Sequence, residues 1–242
     1  MKKLLAWAKG GSRVLICALA ALASQAVHAE EVTAYGAGLK SCKAYLDARG
    51  ATASEQVGFI DWLSGYFSGV NKTSAHRNNF LGLADLAAAL NSLDTYCDSR
   101  PRAPFAEAAA VLVFGAKTGP TSHALGDAPN YGAADKSCQV YRDARAQREV
   151  NYWTEFTDWL GGYLSGVNAI SLRTANILGD AKLTDAVHWL DDYCDAHPPT
   201  SFNAAVEALV AANSPGPASP GLAQSKSAQS GMQGSGLRVS QP

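Results

Sequence analysis

Phe59-Ile60-Asp61-Trp62-Leu63-Ser64-Gly65-Tyr66-Phe67-Ser68-Gly69-Val70-Asn71 reappears downstream as Phe156-Thr157-Asp158-Trp159-Leu160-Gly161-Gly162-Tyr163-Leu164-Ser165-Gly166-Val167-Asn168. The offset is 97 at every position. Leu93-Asp94-Thr95-Tyr96-Cys97-Asp98 matches Leu190-Asp191-Asp192-Tyr193-Cys194-Asp195 at the same offset, as Pro101 and Phe105 match Pro198 and Phe202. Upstream the offset is 96: Ser41-Cys42 pairs with Ser137-Cys138, and Tyr45 and Asp47-Ala48-Arg49 pair with Tyr141 and Asp143-Ala144-Arg145. A period this long does not fit a solenoid, whose repeats are shorter. It describes two copies of one small domain.

Inside the repeated stretch the large apolar residues fall at Phe59, Trp62, Leu63, Tyr66, Phe67 and Val70, the i, i+3, i+4, i+7 spacing of an amphipathic helix. That helix is expected over about 54–70, with Ser54 as its cap. Three more are expected in the first copy. One carries Leu39, Cys42, Tyr45 and Leu46 and ends at Gly50. Another runs over about 83–96 with Leu86, Leu90 and Leu93 on one face, and a last over about 104–114 with Phe105, Ala108, Ala109, Leu112 and Val113 inward. The second copy repeats the set from Val140 and Tyr141, through 156–167 and 183–193, to 202–210. No segment alternates with period two, so the fold class is all-α: two tandem four-helix domains. The copies span 35–116 and 135–213, joined by a Gly- and Pro-bearing linker over 117–134. Residues 214–242, rich in Ser, Gly, Pro, Gln and Ala, read as a disordered tail.

Residues 1–29 have the order of a secretory signal peptide: Lys2, Lys3, Lys9 and Arg13, then the apolar run from Val14 to Ala23, then Val27-His28-Ala29. Export would leave Cys42, Cys97, Cys138 and Cys194, an even number in an oxidising compartment, which implies disulfides. If each copy folds alone, the bridges are Cys42–Cys97 and Cys138–Cys194. Closing a loop of ~55 residues contributes roughly 4 kcal/mol in the loop-entropy model. That matters to a domain whose core is small. The expected location is therefore the periplasm or the exterior.

The whole chain of 242 residues has a formal net charge of −1. Loss of the four leader bases leaves sixteen Lys and Arg against twenty-one Asp and Glu, a net charge of −5. Neither value suits a nucleic-acid binder driven by bulk charge. No 18-residue apolar run exists, so no membrane span is expected once the leader is removed.

The two-cysteine spacing around the Trp62–Asn71 run, Tyr96-Cys97, and Pro101 with Phe105, all repeated in the second copy, resembles the HdeA-like periplasmic fold. It is closest in look to the type VI secretion immunity proteins of the Rap and Tai kind. The resemblance covers nearly all of 39–213 and implies a helical domain with one disulfide from its first helix to the end of a later one. It also implies a non-enzymatic protein-binding role, either as an immunity-type inhibitor of a secreted effector or as an acid-stress chaperone. With every carboxylate neutral and four histidines protonated, the exported chain would reach about +20, which makes acid expansion physically possible. The rival readings are a structural envelope-associated protein and an enzyme with a cleft between the copies.

Trp62, Tyr66, Trp159 and Tyr163 are expected in the core, and Gly65, Gly69, Gly162 and Gly166 are expected to allow close helix approach. Asn71 and Asn168 suit helix C-termini. Asp61 and Asp158 fall away from the apolar stripe and read as solvated carboxylates rather than general bases. His76, His123, His188 and His197 are too scattered for a metal centre, and no nucleophile or phosphate-loop signature is present. No catalytic residue, metal or cofactor is therefore expected. Core positions repeat because both copies solve one packing problem, so a partner is expected to read positions that differ. The largest divergence next to a well-matched block is the segment after the second helix, which makes Lys72, His76, Arg77 and Asn78 the candidate partner-binding loop.

Overall fold

A computed structural model describes residues 32–74, 86–115, 130–147 and 150–214 of the chain. The expected leader, the tail beyond Ser214, most of the expected linker, and His76, Arg77, Asn78 and His123 lie outside the described residues. The described residues form eight α-helices and no β-strand: α1 (Cys42–Gly50), α2 (Ala53–Thr73), α3 (Leu86–Ser99), α4 (Phe105–Gly115), α5 (Cys138–Gln147), α6 (Val150–Ile170), α7 (Leu183–Ala196) and α8 (Phe202–Asn213). A single turn of 3-10 helix precedes each set of four, at Gly36–Leu39 and Gly132–Asp135. The all-α expectation of four helices per copy holds.

Each set is tied together in the same three ways. Disulfides join Cys42 to Cys97 and Cys138 to Cys194, the two pairings expected from the repeat. A backbone seam fixes the start of the first helix against the start of the fourth: the Cys42 and Phe105 N–H groups donate to the Ala103 and Lys40 carbonyls, as those of Cys138 and Phe202 do to Thr200 and Lys136. The third tie is a polar clamp between the first and third helices. The Tyr45 hydroxyl donates to Asp94 at 2.7 Å, and the Arg49 guanidinium grips both oxygens of that carboxylate at 3.1 and 2.7 Å. Tyr141, Arg145 and Asp191 repeat it, with the Tyr141 hydroxyl at 2.7 Å and Arg145 Nε at 2.8 Å. Around these ties pack Tyr45, Phe59, Trp62, Leu63, Leu93 and Phe105 in one copy and Tyr141, Phe156, Trp159, Leu160, Leu190 and Phe202 in the other, all buried.

The copies meet along α2 and α6, which pack against each other over their length. Four glycines bring the two backbones into contact. A Cβ built on Gly65 would stand 2.0 Å from the Trp159 carbonyl oxygen, and one on Gly162 would stand 1.8 Å from the Trp62 carbonyl oxygen. Gly69 and Gly166 come nearly as close to the Tyr163 and Tyr66 carbonyls, at 2.3 Å each. No real Cβ tolerates such distances, so only glycine fits. The close approach expected of these residues is thus an approach to the other copy.

The short arms ahead of the 3-10 turns cross the same junction. The Tyr35 N–H donates to Ser165 Oγ, and the Tyr131 N–H to Ser68 Oγ. Thr33 donates to the Ala175 carbonyl, and the Asn168 side chain donates to the Thr33 carbonyl while accepting from Ile177 N–H. Tyr35 counts within the apolar cluster of the second copy, and Tyr131 packs against that of the first. Meanwhile Trp62 Nε1 donates to the Tyr35 carbonyl and Trp159 Nε1 to the Tyr131 carbonyl. Each arm is therefore rooted on its own tryptophan and seated in the other copy.

Four expectations change. Leu39 is not on α1: Ser41 Oγ accepts from Ala44 N–H and starts the helix at Cys42, which leaves Leu39 in the 3-10 turn, 67% exposed. Val140 likewise faces outward at 45% exposure. The N-cap of α2 is Thr52, not Ser54, and it makes no side-chain cap bond. Asn71 and Asn168 are buried inside their helices rather than at left-handed ends, because the helices run on to Thr73 and Ile170. Asn168 there holds the crossing arm.

Candidate functional site

Two places stand out beyond the clamps. The first is the junction. Asp61 and Asp158 lie on faces of α2 and α6 that a lone helix would give to water, but here the other copy covers them. Both are half-buried. Asp61 Oδ2 is fully buried and has no hydrogen-bond partner. Asp158 Oδ2 lies 2.9 Å from where a Gly58 Cβ would be, so its carboxylate rests on the α2 backbone of the first copy. Burial, with Glu155 and Asp158 nearby, pushes the Asp61 carboxyl up to about 7 against a smaller opposing pull from Lys136. Burial pushes Asp158 up to about 6, opposed by Lys40. The solvated reading of both residues is overturned, because their surroundings come from the other half of the chain.

The clamps have the reverse electrostatics. Burial alone would lift the Asp94 carboxyl, but the hydrogen bonds from Arg49 and Tyr45 outweigh it and hold it below the ordinary carboxylate range. Arg145 and Tyr141 do the same for Asp191.

The second place is a surface groove of about 220 Å³ on the second copy, lined by Arg145, Trp153, Thr157, Leu183, Thr184, Val187 and His188. The Arg145 guanidinium lies over the Trp153 ring at 4.2 Å, held there by its grip on Asp191. His188 Nδ1 stands 3.7 Å from that carboxylate. On α7 and just past its end, Trp189, Tyr193 and His197 stack in turn, with ring centroids 5.2 and 4.3 Å apart, Trp189 and Tyr193 being partly buried against the second copy's core. The first copy has Gln56, Asn91, Ser92 and Arg100 at the positions of Trp153, His188, Trp189 and His197. Its Tyr96 is covered by Arg100 and donates to Glu107. The groove's Trp153 and His188, and the separate aromatic stack, are thus features of one copy on a shared scaffold.

Of the residues singled out from sequence, the four cysteines form the two disulfides. Lys72 lies in the last turn of α2, not in a loop, and pairs with Glu207 of α8 at 2.9 Å across the copies. His76, Arg77 and Asn78 lie outside the described residues. Trp62, Tyr66, Trp159 and Tyr163 are core, each 1% exposed or less, and offer no stacking surface. Among the described residues no three His, Cys, Asp or Glu side chains gather as a metal centre would require. Trp153, His188 and Trp189 differ between the copies but lie outside the best-matched block, so they are not among the residues singled out from sequence. The same rule, reading where the copies differ, points to Trp153, His188 and Trp189 once it is applied along the whole repeat.

No protein-family model, characterised protein or solved structure matches the chain. The two disulfides fit a chain that matures outside the cytoplasm, and among the described residues no helix is long and apolar enough to cross a membrane.

Proposed function

We propose that the exported chain is a non-enzymatic periplasmic protein that acts by binding another protein through the α6–α7 face of its second copy. The observation that carries this reading is the groove, whose Trp153 and His188 are replaced by Gln56 and Asn91 on the other copy. Rigid aromatic and Arg side chains are what protein interfaces favour. The tightly closed junction disfavours a catalytic cleft between the copies. The immunity-type inhibitor is the form proposed, in keeping with the resemblance read from Cys42, the Trp62–Asn71 run and their repeats.

A second reading, an acid-stress chaperone, draws on the clamps: Asp94 and Asp191 lose their grip on Arg49 and Arg145 when protonated, which would loosen each copy in strong acid. Capture from periplasmic extract at neutral and acid pH separates the two. A single secreted effector, captured at neutral pH and lost with Trp153→Ala, supports the inhibitor. Capture of many unrelated proteins only in acid supports the chaperone. Neither outcome leaves a structural envelope role.

A further inference from the structure

We propose that the joint between the two copies is an acid-tightened latch: ionised Asp61 and Asp158 oppose the seating of α2 against α6, and their protonation removes that opposition. This does not rest on the partner proposed above. It stands on the geometry of the joint. The glycine contacts leave the helices no freedom to separate and admit water without breaking the packing. Asp61 Oδ2 is buried without a hydrogen-bond partner. Asp158 Oδ2 fills the space beside Gly58 that a Cβ would need.

The charged groups facing the pair do not rescue it. From α6, Glu155 and Asp158 face Asp61, both adding negative charge. From the end of the second 3-10 turn comes Lys136, which is already paired with Glu155. Asp158 meets Lys40 from the end of the first 3-10 turn, and Lys40 lies over the Phe59 ring at 5.2 Å. The asymmetry is legible: Glu155 occupies in the second copy the position that Gly58 holds in the first. Asp61 therefore meets an acid where Asp158 meets bare backbone, and its carboxyl is lifted further, to about 7 against about 6.

The sign follows from linkage. A carboxyl that holds its proton more tightly folded than unfolded weakens the fold when ionised. The weakening is complete above the folded values of about 7 and 6 and disappears as pH falls toward the unfolded value. Stability should therefore rise as pH drops from 8 to 5, the opposite of the usual behaviour of paired carboxylates.

Urea unfolding of the full exported chain, followed by tryptophan fluorescence at pH 8, 7, 6 and 5, tests the latch. The wild-type midpoint should climb as pH falls, with an uptake of roughly one to two protons on folding near pH 5.5. Asp61→Asn with Asp158→Asn should raise the midpoint at pH 8 and flatten the profile. The exposed His188 and His197 are common to both proteins and drop out of the difference. A wild-type midpoint that is flat or falls from pH 8 to 5, or a double variant that keeps the wild-type slope, overturns the proposal. Should the double variant not fold, Glu155→Gln provides the second test. It removes an acid beside Asp61 and frees Lys136, so the wild-type rise should move to lower pH, and an unmoved profile again overturns the latch.

Discussion

Two pairs of aspartates repeat between the copies, both beside buried aromatic residues, and they live in opposite surroundings. Asp94 and Asp191 receive an Arg and a Tyr from their own copy and are held ionised. Asp61 and Asp158 receive backbone and like charge from the other copy and are pushed toward neutrality. Repetition alone therefore says that a residue matters without saying how. The difference lies in who supplies the partner. A clamp is solved within one copy and would persist in it alone, whereas the junction exists only because two copies meet.

The hardest test of that contrast is steric. Gly162→Leu places a side chain where a Cβ alone would be 1.8 Å from the Trp62 carbonyl oxygen. The helices would have to part, and the arms seated on Ser68 and Ser165 would part with them. Loss of the cooperative urea transition is expected. Gly50→Ala is the control, because a Cβ there meets nothing within 4 Å. It should shift stability by no more than about 1 kcal/mol.

Next in size is Trp62→Ala, a cost of about 3–5 kcal/mol for emptying a site of this volume in the core. Trp62 also holds the Tyr35 carbonyl at the root of the arm that enters the second copy. If the junction unites the copies, the variant unfolds in one transition shifted to lower urea. Two separate transitions, one at the wild-type position, would mean that the clamps and disulfides make each copy self-sufficient.

These contrasts explain how far the sequence could be read. The helices, the disulfide pairing and the buried tryptophans follow from periodicity and from the repeat, because one copy is enough to determine them. Asp61 and Asp158 were misread for the converse reason: on a helical wheel they face away from the stripe, and only the second copy covers that side. Asn168 was misjudged likewise, since its partners Thr33 and Ile177 are 135 and 9 residues away and no local rule joins them. Trp153 against Gln56 and His188 against Asn91 are differences between the copies legible in the sequence, but they stand outside the best-matched block.

The clamps themselves should respond to pH with the reverse sign of the junction. Asp94→Asn or Asp191→Asn removes a charge-assisted grip and should cost roughly 1–3 kcal/mol near pH 7. The folded carboxyls lie below their ordinary value, so their contribution is present above about pH 4 and is lost as pH falls through the lowered folded values. Urea midpoints of wild type and variant should therefore converge from about pH 4 downward. A gap that stays constant into acid would mean that the Asn variants fail for a packing reason, and the electrostatic half of the comparison would go with it.

The smallest expected effect concerns Lys72, which sequence reading placed in a recognition loop and the fold places on α2. Its ammonium meets Glu207 of α8 at 2.9 Å, with the two side chains 55% and 30% exposed. Such a pair is screened and holds two long side chains in one geometry, so its net worth is small. The second copy has Ala169 at this position, packed against the first copy's apolar cluster, which indicates that closure at this end of the junction is chiefly apolar. Lys72→Ala should thus change stability by less than about 0.5 kcal/mol. Partner capture should also be unchanged, since the proposed face lies on α6 and α7. Equilibrium unfolding and the capture assay read the two independently. A loss above about 1.5 kcal/mol would exceed what an exposed pair supplies and would make the α2–α8 tie part of the junction's own energetics. Lost capture at full stability would instead return the recognition surface to the end of α2.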